Sequence, residues 1–396
     1  MRKFLVLLSL VAMVAALSSL SFAAITLPVV LAADDNPTAG ANSATAFNVN
    51  TTNGHLTLVA QLKTGGTGLG GGYFANTGTA ITSNGSCVWV TNTGSDTITS
   101  FAAPSYAKTG DAGIPGMFST NGAGGSIAVA PNGKFLVSGN SGTLNISLWN
   151  VGASCKLTHV ADYTPSGGAD FISPVGITPD NTGVVVPLPD FESVEFYSVG
   201  ASGLTDVNNL AYASLSACAA GCFPTGMDFT NDSKVVVFGD ATTGQNAVMT
   251  ANIGAGGLSN AQVFSVNNSA GAMNPNVPWF SKNGAAGNGE LYIGMSGFST
   301  GIPSGEVTTM FTESPLNITV EGNGTLIPNS TNFQGAIRSI GATGSGSGGG
   351  GLLVAQDPNT IQAVGILSGG HLFLGPVTTD PNAAGLLSIE VYPNTR

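Results

Sequence analysis

The stretch Ser126-Ile127-Ala128-Val129-Ala130-Pro131-Asn132-Gly133-Lys134-Phe135-Leu136-Val137 encodes a β-hairpin: a short strand, a Pro-Asn-Gly turn, and an apolar, β-branched-rich second strand. The same phrase recurs. Related turns stand at Ser83-Asn84-Gly85, Pro179-Asp180-Asn181, Thr230-Asn231-Asp232 and Ser281-Lys282-Asn283-Gly284. The strands that follow them read Cys87-Val88-Trp89-Val90, Val184-Val185-Val186, Val235-Val236-Val237 and Glu290-Leu291-Tyr292-Ile293. A period of about fifty residues holding four short strands per unit predicts an all-β fold, a seven-bladed β-propeller of four-stranded blades.

Working outward, blades are expected over about 72–118, 123–165, 172–215, 222–267, 273–327 and 333–378. The remaining blade is assembled from both ends of the chain. Pro28 to Ala33, Ala44 to Asn50 and His55 to Leu62 supply its last three strands, and Leu386-Leu387-Ser388-Ile389-Glu390-Val391 its innermost one. Closure of this kind removes the free sheet edges that invite aggregation. A propeller also accommodates a chain of this length in one domain, because each blade buries its faces against its neighbours instead of enlarging a single core.

Composition sets the surroundings. A net charge of −11 with only ten Lys and Arg leaves no basic stripe to neutralise a phosphate backbone, which excludes nucleic acid as a partner. Arg2 and Lys3 precede an apolar run from Phe4 to about Leu17, and Ser21-Phe22-Ala23 offers small residues for cleavage before Ala24. Residues 1–23 therefore read as a secretory signal and 24–396 as one exported propeller domain, extracellular, periplasmic or on the cell surface. An uncleaved anchor is the alternative, although Pro28 and Ser18-Ser19 interrupt the apolar run. Export makes the four cysteines disulfide candidates. Cys218 and Cys222 close a short ring between two blades. Cys87 and Cys155 open the second strand of one blade and the fourth strand of the next, starts that antiparallel order places on one face.

The phrase from Ser126 to Val137, together with Thr52-Asn53-Gly54-His55-Leu56-Thr57-Leu58-Val59, resembles the seven-bladed lactonase family of 6-phosphogluconolactonase-like proteins, and also the YVTN-type surface propellers. The resemblance covers the chain beyond the signal and rests on framework motifs that specify turns and strand starts. It implies a site at the mouth of the central channel, where His, Arg and Glu bind a carboxylated lactone and move its protons. This chain departs from that pattern. Gly125-Ser126, Pro174-Val175 and Pro224-Thr225 stand where a catalytic relative would carry His, and only Arg338 and Arg396 remain as arginines beyond the signal.

The repeat places the other candidates. His55, His371 and Lys156 share a slot that opens an outermost strand, with His159 further along such a strand, so all are expected in solvent. Arg338, in Gly335-Ala336-Ile337-Arg338-Ser339-Ile340, lies on an innermost strand, where it either pairs with a structural Asp or holds an anion. The second strands end in Asp34-Asp35-Asn36, Asn92, Asn140, Asp190, Asp240, Ser296 and Asp357, all on one face. Two readings of this ring stay open: side-chain-capped turns, or an oxygen-only site in which Asp34, Asp190, Asp240 and Asp357 hold a divalent cation such as Ca²⁺. No other cofactor is implied. Gly66-Thr67-Gly68-Leu69-Gly70-Gly71 fits a dinucleotide fingerprint but leads into a strand, and Ser299 in Gly297-Phe298-Ser299-Thr300-Gly301 lacks the strand-turn-helix corner of a nucleophile elbow. The expected function is a non-catalytic extracellular binding or scaffold module for a small molecule, glycan or surface protein. The alternative is a divergent lactone hydrolase using Arg338 as anion clamp and Asp190 or Glu192 as base.

Overall fold

The structure is a computed structural model of the chain. It describes residues 29–50, 53–70, 78–113, 116, 125–169, 172, 174–219, 221–230, 232–240, 247–265, 274–280, 290–296, 305–313, 317–320, 325–327, 337–342, 350–356, 359–366, 372–384 and 388–392. Side chains within these stretches are described up to position 264 and over 359–364, 375–384 and 388–392. The signal sequence read at 1–23 lies outside them.

The described residues form seven antiparallel sheets, the blades of a β-propeller. Blade I runs, from inside outward, Ser388–Tyr392, Val29–Ala33, Ser43–Val49, Leu56–Lys63. Blade II is Thr79–Ile81, Cys87–Asn92, Thr97–Ala102, Ala107–Gly113, and blade III is Ser126–Val129, Phe135–Asn140, Asn145–Val151, Leu157–Tyr163. Blade IV is Gly176–Ile177, Gly183–Leu188, Ser193–Gly200, Gly203–Ala211, and blade V is Pro224–Phe229, Val235–Asp240, Ala247–Gly254, Gly257–Ser265. Blade VI contains Asn274–Phe280, Glu290–Ser296 and Gly305–Glu313, with Asn317–Val320 and Thr325–Ile327 both pairing with the last of these. Blade VII is Ile337–Ala342, Gly350–Gln356, Thr360–Ile366, Leu372–Thr379. Inner strands touch from blade to blade, and Ile337–Ala342 meets Ser388–Tyr392 to complete the circle.

Side-chain alternation explains why the second strands read as unbroken apolar runs. Successive residues point to opposite faces of a sheet, and here both faces are covered. In Val29–Ala33, Val30 and Ala32 pack with Ile361 and Ala363 of blade VII, whereas Val29 and Leu31 pack with Val88 and Val90 of blade II. Between blades II and III, Trp89, Ile98, Leu136 and Trp149 form the filling, and the Trp89 indole N–H donates to the Cys155 carbonyl at 2.9 Å.

The recurring turn is a single piece of chemistry. Residue 85, 133, 181 or 233 adopts a left-handed φ of 69°, 69°, 65° or 60° and donates its N–H to residue 82, 130, 178 or 230. Glycine suits this slot at 85 and 133, and Asn181 is the next best tolerated residue. The preceding side chain accepts the N–H two residues on: Asn84 from Ser86, Asn132 from Lys134, Asp180 from Thr182, Asp232 from Lys234. Successive turns are also tied together. Ser83 Oγ donates to the Pro131 carbonyl, Asn132 N–H to Asn181 Oδ1, and Asp180 N–H to Ser233 Oγ.

Both disulfides form: Cys87–Cys155 joins blade II to blade III, and Cys218–Cys222 closes the loop that enters blade V. Their sequence separations are 68 and 4. On loop-closure entropy the longer bridge is worth about 4 kcal/mol and the shorter about 2. Replacing Cys87 and Cys155 together by Ala is expected to lower the urea midpoint clearly further than replacing Cys218 and Cys222, as followed by tryptophan fluorescence.

Candidate functional site

The face that carries the ends of the second strands also carries the loops from one blade to the next. On a propeller this is where chain identity is free to vary. The residues at the strand ends of blades I to III occupy one structural slot, and the structure shows what it does. Asn92 Nδ2 donates to Thr97 Oγ1 at 3.0 Å and Thr99 Oγ1 at 2.9 Å, and Thr99 Oγ1 in turn donates to Asp111 Oδ1 at 2.7 Å. Blade III repeats this: Asn140 Nδ2 donates to Asn145 Oδ1 and Ser147 Oγ, and Ser147 Oγ donates to Asp162 at 2.6 Å. Each outer Asp meets a basic side chain three residues earlier, Lys108 at 2.7 Å and His159 at 2.9 Å. Burial raises the Asp162 carboxyl, yet bonds from Ser147 and His159 outweigh it and hold it below its ordinary value.

In blade I the slot holds Asp34 and the bonds reverse direction. Ser43 Oγ donates to Asp34 Oδ2 and Thr45 Oγ1 donates to Oδ1. Asp34 and Asp380 are both fully buried, and each carboxyl lies close enough to the other to perturb its charge. Desolvation first, and the charge of Asp380 second, push Asp34 up to about 8. Asp35, next in sequence, has a separate task. Its carboxylate accepts the N–H groups of Leu69 at 2.9 Å and Gly70 at 3.1 Å and the Thr93 hydroxyl at 2.9 Å. The glycine-rich loop thus cradles an anion, and that anion is a side chain of the same chain.

The other candidates are placed as follows. Asp190 lies exposed in the 3₁₀ turn Pro189–Phe191 between the second and third strands of blade IV; Glu192 follows it, half-buried, with φ of 48°. Asp240 is buried and its Oδ1 accepts the Phe223 N–H at 3.0 Å, beside the Cys218–Cys222 ring. Arg338 lies on the innermost strand of blade VII, opposite Leu353; its side chain, and all of Asp357, His371 and Ser299, lie outside the described residues. His55 and His159 are exposed on outermost strands, His159 with its ring edge-on to Trp149 at 5.2 Å. Among the described residues no group of three or more His, Cys, Asp or Glu could hold a metal ion, and no helix is long and apolar enough to cross a membrane.

Two acids escape the sequence reading. Asp380 follows an outer strand and shows no motif. Glu195 does carry a signal, a charge inside the run Ser193-Val194-Glu195-Phe196-Tyr197. It is fully buried and accepts the N–H groups of Ser166 at 2.6 Å and Gly167 at 2.9 Å and the Tyr197 hydroxyl at 3.1 Å. It clamps the loop between blades III and IV, and burial together with this carboxylate pushes the Tyr197 hydroxyl well above its ordinary range.

No family model and no curated protein matches this sequence. Solved structures do. A candidate 6-phosphogluconolactonase of Bacteroides fragilis aligns over 92% of this chain and 98% of its own, with a TM-score of 0.67 at 15% identity. The fold is that of the lactonase-like β-propellers. A similar protein of Bacteroides uniformis gives 0.68 at 12% identity over 92% and 100%. The periplasmic gluconolactonase of Pseudomonas aeruginosa gives 0.62 at 12% over 92% and 99%. At these identities the likeness is one of architecture, and activity is a separate question.

The Asp35 cradle gives a direct test. An added Cβ at Gly68 would lie 2.3 Å from the Asp35 carbonyl carbon. Gly68→Ala and Asp35→Ala are each expected to cost about 2–3 kcal/mol, and the double variant less than the sum, in chemical denaturation.

Proposed function

We propose that this chain is an exported propeller, residues 24–396 beyond a cleaved signal, that works as a binding or scaffold module for a small molecule, a glycan or a surface protein. The observation that carries the reading is the use made of the polar side chains at the second-strand ends. Asp34, Asn92, Asn140 and Asp240 are buried there and bonded within the framework, and the described histidines sit on outermost strands, far from the axis. General acid–base work needs a titratable group that faces its substrate, and Asp190 and Glu192 are among the described acids on this face with that exposure. Two disulfides support export to an oxidising compartment. The net charge of −11 speaks against a nucleic-acid partner.

The test is a screen for lactone hydrolysis with the purified mature chain, with and without Ca²⁺, alongside Arg338→Ala, Asp190→Asn and Glu192→Gln. No turnover is expected under any condition. Turnover that Arg338→Ala abolishes would instead establish a divergent hydrolase with its anion clamp in the channel.

A further inference from the structure

We propose that the ring of blades is latched shut by a proton shared between Asp34 and Asp380, so that acid strengthens the closure. The pair sits at the seam. Asp34 follows the strand Val29–Ala33, onto which the C-terminal strand Ser388–Tyr392 is zipped, and Asp380 begins the segment that carries the chain from blade VII to that strand. The segment is fastened to the same spot by its backbone and its amide: Ala384 N–H donates to the Asp34 carbonyl at 2.9 Å, and Asn382 Nδ2 donates to Thr45 Oγ1 at 3.0 Å. The two carboxyls therefore stand between the chain ends that the fold must hold together.

Among the described residues the surroundings supply no charge to balance them. From the third strand of blade I come the Ser43 and Thr45 hydroxyls, from the fourth the Gln61 amide, which donates to Ser43 Oγ at 2.9 Å, and from the crossing segment the Asn382 backbone N–H, which donates to Asp380 Oδ1. Asp35 is turned to the glycine loop. The ion pairs among the described residues, Lys108–Asp111, His159–Asp162 and Lys234–Asp232, lie elsewhere. Asp380 Oδ2 is buried and receives no N–H or hydroxyl. Two desolvated carboxylates in contact cannot both be ionised, and a single O–H from Asp34 to Asp380 satisfies that oxygen and removes one charge.

The repeat provides an internal control. Blades II and III fill the Asp34 slot with Asn92 and Asn140, whose Nδ2 supplies a permanent N–H. In blade I the third strand donates to Asp34 instead, and the hydrogen between Asp34 and Asp380 is a proton that can leave. A cation in place of the proton would need oxygen ligands that the pair does not offer, since both Asp34 oxygens already accept hydroxyls.

The direction of the effect follows from linkage. The folded carboxyl titrates above its unfolded counterpart, so its stabilisation is complete below the ordinary value of 3.8 and is lost as the pH rises to about 8. Asp162, Asp180 and Asp232, held low, act in the opposite sense in acid, which makes the difference between variants the quantity to read.

The experiment is thermal unfolding of the full mature chain from pH 4 to pH 9, for wild type, Asp34→Asn and Asp380→Asn, with infrared spectra of each. The wild type is expected to lose about 5 °C more than Asp34→Asn over this range, and Asp34→Asn to unfold at a higher temperature than wild type at pH 8. A protonated-carboxyl C=O band near neutral pH should be present in the wild type and absent from Asp34→Asn. Parallel pH profiles with no such band would overturn the proposal, as would a stabilisation of wild type by Ca²⁺ at pH 8 that Asp34→Asn abolishes. Should Asp34→Asn fail to fold, the infrared band of wild type and the profile of Asp380→Asn decide the matter.

Discussion

A stack of blades bent into a circle buries the faces of its first and last members only if the circle shuts, and here shutting it falls to one five-residue pairing. Val29 lies opposite Tyr392 and Ala33 opposite Ser388, with the intervening residues in register. Release of Ser388–Tyr392 would uncover Ile389 and Val391, which pack with Ile361 and Ala363 of blade VII, and would leave Val30 and Ala32 without part of their cover. Each fully buried aliphatic side chain contributes about 1.5–3 kcal/mol, so the seam governs the ring as a whole. The polar groups gathered there are best understood as its fastening.

The slot at the end of the second strand shows how one position can serve a repeat in different ways. An amide in blades II and III bridges two hydroxyl or amide groups of the next strand, an acid in blade I accepts from the same strand, and Asp240 in blade V reaches a backbone N–H of the entering loop. Blade IV moves the acid one strand outward, to Glu195, and uses it to hold the neighbouring loop. A buried polar group must be bonded, and a propeller offers bonding partners at the same place in every blade. Polar residues at this slot are therefore explained by folding before any chemistry is asked of them.

This accounts for what could be read from the chain. The hairpin turns were legible because a left-handed residue after an Asx-type acceptor is a local requirement, written within four or five positions, as at Asn132-Gly133. Closure by Ser388–Tyr392 was legible because a three-stranded remnant at one end and one strand at the other sum to a blade. The ties between turns, such as Asn132 to Asn181, were not, because they depend on the angle between neighbouring blades. Nor was the contact of Asp34 with Asp380, which joins the two ends of the chain through a group that no local pattern distinguishes. The glycine-rich loop illustrates a third case: its fit to a dinucleotide fingerprint could be set aside because it leads into a strand, whereas the anion it does hold, Asp35, left no local mark.

The same division explains why structures at 12% to 15% identity superimpose over nearly the whole chain while the likeness speaks only to the fold. Turn residues, alternating apolar runs and closing strands are demanded by the architecture, so they persist in any sequence that forms it. Residues that meet a ligand are demanded only by that ligand. In this chain Ser126 Oγ accepts the N–H of Val175 at 2.9 Å. That bond links the innermost strand of blade III to the entry of blade IV. The Ser126 hydroxyl is thus engaged in holding one blade to the next, a use that the architecture itself supplies.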